Sequence, residues 1–140
     1  MTSQAKNIAP TQDVIKAISA WLNNQPEIVF AILFGSFAKG TEQEYSDIDL
    51  AIELNTKMTA DIKLSLLQSL GEITARNIDL VDLKIIGEPL LNQVVQHGKQ
   101  LKGSQQQFID LSIKNVNMMQ DFTPYIKRTL KQRRERLLYG

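Results

Sequence analysis

The chain contains no cysteine and a single histidine, His97. Disulfide bonds and thiolate metal sites are therefore excluded, and one imidazole is too few for an ordinary zinc site. The absence of cysteine favours a reducing compartment. Because carboxylates and other oxygen donors are the remaining ligands, we expect any bound metal to be a magnesium-like ion. For His97, which precedes Gly98, a role at a helix end is favoured over catalysis.

Long apolar runs and a strong charge of one sign are also missing. The longest apolar run, residues 28–34, is far shorter than the ~20 residues of a membrane helix. The polar segment 1–10 lacks the apolar stretch of a signal peptide. We therefore expect a cytoplasmic protein with no membrane segment. The net charge of +1 excludes a strong overall field for nucleic acid, and no direct nucleic-acid partner is expected.

What the chain does have is enough apolar material for one compact core. Of its 140 residues, 43% are hydrophobic, which suits a single domain. We expect this domain to span residues 1–140, with a core at about 11–103 and a helical C-terminal segment at about 104–140.

Apolar periodicity predicts helices and strands in alternation. The predicted helices follow Thr11 and cover 58–76, 88–96 and 105 to about 138, the last interrupted near Pro124. The predicted strands cover 28–34, 47–54, 77–83 and, as a short edge strand, 99–102. This order predicts an α/β (α+β) fold.

The buried strand 28–34 stops at Gly35-Ser36. Glycine lets the backbone approach a ligand closely. A serine at the start of a helical turn lies where free N–H groups gather, and such groups bind anions. The dipeptide is therefore a candidate phosphate-binding site. A Gly-Ser pair is also a common turn signal, so this assignment needs support from elsewhere in the sequence.

Asp47 and Asp49 supply that support. Side chains two positions apart on a strand leave the same face, with backbones ~6.5–7 Å apart. Aspartate is disfavoured in strands, and two on one face repel each other unless cations lie between them. Two metal ions ~3.5–4 Å apart fit such a pair and could hold a triphosphate. The alternative is a solvated strand face, which Glu53 on the same side favours.

The strand 77–83 offers a third carboxylate, at Asp79 or Asp82. The two side chains leave opposite faces. Asp82 shares its face with Ile78 and Leu80, which looks like a core face. Asp79 is therefore the preferred functional carboxylate, and Asp82 is interpreted as a strand-end residue. A bulge or an early strand end would reverse this assignment.

Gly35-Ser36, followed after ten residues by Asp47-Ile48-Asp49, resembles the Gly-Ser…Asp-x-Asp signature of the DNA polymerase beta-like nucleotidyltransferase superfamily. The flanking strands and the segment around Asp79 fit the same pattern, so the resemblance covers about residues 28–83. In size, the chain is similar to the minimal nucleotidyltransferase (MNT) branch. The resemblance implies a mixed sheet flanked by helices, with a long C-terminal helical segment.

The resemblance also implies site roles and a partner. Gly35 and Ser36 are expected to bind the β- and γ-phosphates of ATP. Asp47, Asp49 and Asp79 are expected to ligate Mg2+, and Asp79 also helps to deprotonate the acceptor. Many MNT proteins are antitoxins paired with a HEPN-domain ribonuclease toxin. The resemblance therefore implies transfer of AMP from ATP to a tyrosine of such a toxin, which neutralises it.

Two other functions stay open. A long C-terminal helix with a basic stretch at 127–136 is compatible with a non-catalytic antitoxin that acts by occlusion. Charge runs of this kind are more often solvated helix faces. The third hypothesis is a small-molecule nucleotidyltransferase, against which the short chain argues, because an acceptor site usually needs more protein.

Overall fold

The computed structural model describes residues 11–43 and 46–120 of the chain. The elements are α1 Thr11–Asn23, β1 Ile28–Phe34, α2 Ser36–Lys39, β2 Ile48–Leu54, α3 Ala60–Thr74, β3 Ile78–Asp82, α4 Leu90–His97 and β4 Lys99–Lys102. A further helix, α5, covers 105–120. Over the described residues the predicted helices and strands are confirmed, with ends shifted by a residue or two. The expected interruption near Pro124 and the basic stretch at 127–136 lie outside the described residues.

The four strands form one sheet in the order β3-β2-β1-β4. β1 is antiparallel to both of its neighbours, whereas β2 and β3 are parallel, so the mixed sheet is confirmed. The end of β1 therefore lies beside the beginnings of β2 and β3. Phe34 pairs with Asp49, and Asp49 pairs with Asp79. The beginnings of β2, β3 and β4 thus lie at the same end of the sheet as the end of β1.

Both faces of the sheet are covered by helices. Side chains of α1 and α3 pack on one face with Leu33, Leu50 and Ile52. Side chains of α4 and α5 pack on the other face, where Ala51 is fully buried. Because Ala51 and Asp49 share a face of β2, the face that carries Asp49 is a second core face and not the solvated strand face that the sequence left as an alternative.

α5 begins at a capping box between Ser104 and Gln107. The Gln107 backbone N–H donates to Ser104 Oγ (3.1 Å), and the Ser104 N–H donates to Gln107 Oε1 (2.6 Å). Gln107 Nε2 also donates to the Val29 carbonyl (3.2 Å), where the pairing of β1 with β2 shifts register. The start of α5 is thereby fixed to β1, and the helix covers the second core.

None of the helices in the described part of the chain has the length and apolar character that crossing a membrane requires.

Candidate functional site

Three aspartates lie at the end of the sheet where β1 finishes and β2 and β3 begin. Asp49 and Asp79 are paired residues on parallel neighbours, so their side chains leave the same face of the sheet. Asp47 comes just before β2, and its charge acts on the Asp49 carboxyl. The structure therefore brings together the three carboxylates that the sequence singled out.

Asp49 is at the centre of this cluster. Burial raises its pKa above the ordinary value of 3.8, and the negative charges of Asp79 and Asp47 raise it further, as does a hydrogen bond with the Asp79 side chain. These are separate effects with the same sign, because loss of water, neighbouring negative charge and a hydrogen bond to the protonated form each disfavour the charged carboxylate. A cation among the three side chains would relieve this repulsion.

Gly35 lies directly against Asp49. Its φ of 73° and ψ of −153° fall in a region that is open almost only to glycine. A Cβ at this position would overlap the Asp49 carboxylate. Glycine is therefore required here both by the backbone conformation and by the close approach to the aspartate. The turn at Gly35 places the start of α2 beside the carboxylates.

Ser36 is the first residue of α2, a helix of four residues with no side-chain cap at its N-terminus. Uncapped backbone N–H groups of this kind attract anions, and the half-buried Ser36 hydroxyl lies beside them. The next residue, Phe37, is buried and holds α2 against the first core. The predicted phosphate-binding dipeptide and the predicted carboxylates are thus neighbours across the Gly35–Asp49 contact.

Arg76 is a contributor to the site that sequence reasoning missed. It follows α3, and its guanidinium lies over the Phe37 ring, 4.9 Å from the centroid. Its Nη1 donates to the carbonyls of Gln43 (3.3 Å) and Ser46 (3.2 Å). One side chain therefore holds α2 and the segment leading into Asp47 against the start of β3. A lone arginine near a strand gives no signal in the sequence for such contacts.

Asp82 stays outside the cluster. It pairs with Ile52 near the end of β3, and its Oδ1 accepts a hydrogen bond from the Lys84 backbone N–H (3.0 Å). Leu80, on the same side of the strand, belongs to the first core. Asp82 is thus the strand-end residue that parity indicated, and Asp79 is the carboxylate beside Asp49.

The residues at the site suit magnesium, although no set of three or more carboxylate, thiolate or imidazole side chains in residues 11–43 and 46–120 is already arranged around a metal position. Magnesium prefers oxygen ligands, keeps several waters and commonly binds through one or two carboxylates together with substrate phosphates. Asp49 and Asp79 are a pair of this kind. Burial raises the pKa of Asp49, and the negative charges of Asp79 and Asp47 raise it further, so a cation bound at the cluster would favour the charged carboxylates.

A comparison with known protein families identifies the family to which this fold and site belong. Residues 16–107 match the family described as "Polymerase beta, Nucleotidyltransferase". The chain belongs to this nucleotidyltransferase family. The matched span contains the Gly35 turn and all three aspartates, so the candidate site of this nucleotidyltransferase lies within the part that defines the family.

Comparisons with individual proteins and solved structures identify more specific relatives within this family. The nucleotidyltransferase is 35% identical, over 105 residues, to the protein adenylyltransferase MntA of Shewanella oneidensis, a match that covers 75% of this chain and 76% of MntA. It also matches a chain in the crystal structure of a toxin–antitoxin with AMP-PNP, with a TM-score of 0.72 and 30% identity over 89% of this chain and 98% of the other. A structure of tri-AMPylated Shewanella oneidensis HEPN toxin in complex with MNT antitoxin matches with a TM-score of 0.71 and 27% identity, over 88% and 98% of the two chains.

Proposed function

We propose that this chain is an antitoxin that transfers AMP from ATP to a tyrosine hydroxyl of a cognate HEPN ribonuclease toxin and thereby neutralises it. The observation that carries the proposal is the pairing of Asp49 with Asp79 against Gly35, in a chain of the nucleotidyltransferase family. The names of the relatives support the donor and the partner, since they include a protein adenylyltransferase, a complex with AMP-PNP and a tri-AMPylated HEPN toxin. The cytoplasm, where ATP is present, is the matching location.

The turn after β1 and the three aspartates bind the donor, ATP. Gly35 lets the β- and γ-phosphates of ATP approach the backbone, and the Ser36 hydroxyl and the N–H groups of α2 donate to them. Asp47, Asp49 and Asp79 are the residues that would hold magnesium, which would neutralise charge on the triphosphate. The carboxylates and the turn thus fix the α-phosphorus relative to the sheet.

Asp79 is the residue that acts on the acceptor tyrosine. The tyrosine oxygen attacks the α-phosphorus, a new P–O bond forms, and the bond to the bridging oxygen breaks. Pyrophosphate leaves with that electron pair, and the phenolic proton passes to the Asp79 carboxylate. Attacking and leaving oxygens lie roughly in line in such transfers. Positioning and electrostatic stabilisation therefore provide most of the rate enhancement.

Transfer of label tests the proposal. The chain is incubated with α-phosphate-labelled ATP, Mg2+ and the cognate HEPN toxin, whose gene we expect beside that of this chain. The wild type labels the toxin, whereas the Asp47→Asn/Asp49→Asn double variant and the Asp79→Asn variant do not. Asp61→Asn is the control, because Asp61 is an exposed aspartate of α3 that lies outside the cluster, and this variant keeps the activity. Labelling by the double variant at the wild-type rate contradicts the proposal.

A second candidate function is neutralisation by binding alone. The observation that favours it is a row of exposed apolar side chains on α5, formed by Ile109, Ile113 and Val116, which recur at helical spacing and offer a surface to another protein. Under this alternative, the Asp47→Asn/Asp49→Asn variant protects cells from the toxin as well as the wild type does. A variant that binds the toxin but fails to protect shows that occlusion is insufficient.

A further inference from the structure

A cleft of about 470 Å³ runs along the outer side of β3, between the N-terminal end of α3 and the segment 85–90. β3 is the outermost strand on that side of the sheet formed by the described residues. Asp79 is part of the cleft wall, together with Val81 from the same face of the strand. The cleft therefore reaches the candidate site at Asp79 and extends from there past Asp82 along the sheet edge.

The order of the strands determines whether ATP or the acceptor approaches the site from the β3 edge of the sheet. Gly35 and Ser36 follow β1, Asp49 is on β2, and Asp79 is on β3. With pyrophosphate bound beside Gly35, an in-line displacement requires the attacking oxygen to enter from the opposite side. That side is the β3 edge, so the cleft lies where an acceptor has to enter. This step rests on the proposed function.

The walls of the cleft suit an aromatic side chain with a polar tip. Met58 and Leu90 contribute apolar surface, and Ile85 lines the cleft with 80% of its surface exposed. An isoleucine this exposed gains free energy when a partner covers it. Tyrosine combines a large apolar ring with a hydroxyl. Two carboxylates line the cleft, Asp79 and Asp82, and Asp79 is the one that pairs with Asp49, so it is the one that receives the hydroxyl proton.

We infer that this cleft binds the acceptor tyrosine of the partner toxin, with the ring against Ile85 and the hydroxyl directed to Asp79. The outer edge of β3 provides backbone N–H and C=O groups for the peptide on either side of that tyrosine. Ile85 is thus a specificity-determining residue for the protein acceptor and not for ATP.

The experiment compares Ile85→Ala with Leu64→Ala. Both residues are exposed aliphatic side chains, since Leu64 on α3 is 66% exposed, but Leu64 does not line the cleft. Full-length variants are assayed for AMP transfer at increasing concentrations of the cognate toxin, and their affinity for AMP-PNP with Mg2+ is measured separately. Ile85→Leu serves as the conservative variant that retains the apolar wall.

The inference predicts that Ile85→Ala lowers kcat/KM for the toxin about tenfold, while AMP-PNP affinity is unchanged and Ile85→Leu and Leu64→Ala behave as the wild type. Equal activity of Ile85→Ala and Leu64→Ala overturns the inference. A loss of AMP-PNP affinity in Ile85→Ala overturns it as well, because the cleft then belongs to the nucleotide. If the wild type itself transfers no AMP to the toxin, the proposed function fails and not only the assignment of the cleft.

Discussion

Two glycines flank the short helix α2, and they differ in what an added side chain would contact. Gly35 and Gly40 both have a φ of 73°. A Cβ on Gly35 would overlap the Asp49 carboxylate, whereas a Cβ on Gly40 would meet nothing within 4 Å. The pair therefore separates the effect of backbone strain from the effect of contact with the site.

We predict that Gly35→Ala destabilises the fold by about 1–3 kcal/mol and lowers transfer activity about 100-fold by displacing Asp49. Gly40→Ala should lose about 1–2 kcal/mol through strain alone and keep its activity per folded molecule. Thermal unfolding and the labelled-ATP assay measure the two effects. Equal activity of the two variants would show that the close approach of Gly35 to Asp49 has no functional role.

The charge on Asp49 leads to a prediction about pH. A pKa raised in the folded state means that the folded protein binds the proton more tightly than the unfolded chain, so stability falls as pH rises through that pKa. In metal-free protein at pH 7, Asp49→Asn should therefore melt at a higher temperature than the wild type. The difference should disappear as the pH falls below the ordinary aspartate value of 3.8.

Asp82→Asn is the control for this measurement, because Asp82 lies outside the cluster and accepts a local hydrogen bond that asparagine can also accept. It should give no gain in stability at pH 7. A lower melting temperature for Asp49→Asn than for the wild type in metal-free buffer would contradict the account of charge repulsion at the site.

At the residue scale, the sequence predicted the aspartates of the site but not the Arg76 contacts that hold the neighbouring segments in place. Alternation on a strand separated Asp79 from Asp82, because parity is a local property that needs no tertiary information. The contacts of Arg76 with Phe37 and Ser46 join segments that are distant in sequence. Nothing local in the sequence encodes them, so they became visible only in the fold.

At the scale of the elements, the C-terminal end of α1 receives hydrogen bonds from a lysine of a distant strand. Its last turn contains no basic residue, yet Lys102 on β4 donates through Nζ to the carbonyls of Leu22 and Gln25 (2.9 Å each). These carbonyls also accept the backbone N–H groups of Gln25 (3.0 Å) and Ile28 (3.1 Å), so Lys102 adds a charged donor to them and complements the helix dipole. The last strand of the sheet therefore caps the first helix of the described chain.

We predict that Lys102→Met destabilises the protein by about 1–2 kcal/mol, since two carbonyls lose a charged donor. Lys99→Met, on the same strand but exposed, should change stability by less than about 0.5 kcal/mol. Urea denaturation measures both. A Lys102→Met variant as stable as Lys99→Met would mean that the cap contributes nothing to folding.

At the element scale, periodicity predicted nearly every helix and strand because each has a local apolar pattern. The Ser104–Gln107 capping box marks the start of α5 within the sequence itself. The position of β4 beside β1 and the cap from Lys102 to α1 depend on pairing between distant segments. Such pairing is decided by the whole chain and has no local signature.

For the whole molecule, the sheet is buried on both faces and the site lies at one of its ends. The two cores consist of apolar side chains, so we expect the fold to be stable without a metal. We predict that chelation of divalent ions abolishes AMP transfer but leaves the far-UV circular dichroism spectrum and cooperative unfolding intact. Global unfolding on addition of chelator would contradict this prediction, because it would make the ion part of the folding energy.

The central claim is that Asp47, Asp49 and Asp79 transfer AMP to the partner toxin, and intact mass spectrometry of the toxin tests it most directly. After incubation with the wild-type chain, ATP and Mg2+, the toxin should gain whole AMP units. It should gain none with the Asp47→Asn/Asp49→Asn variant or with Asp79→Asn, while Asp61→Asn on α3 acts as the wild type does. A toxin of unchanged mass that is nevertheless neutralised by the wild type, or a toxin modified equally by the double variant, would contradict the account.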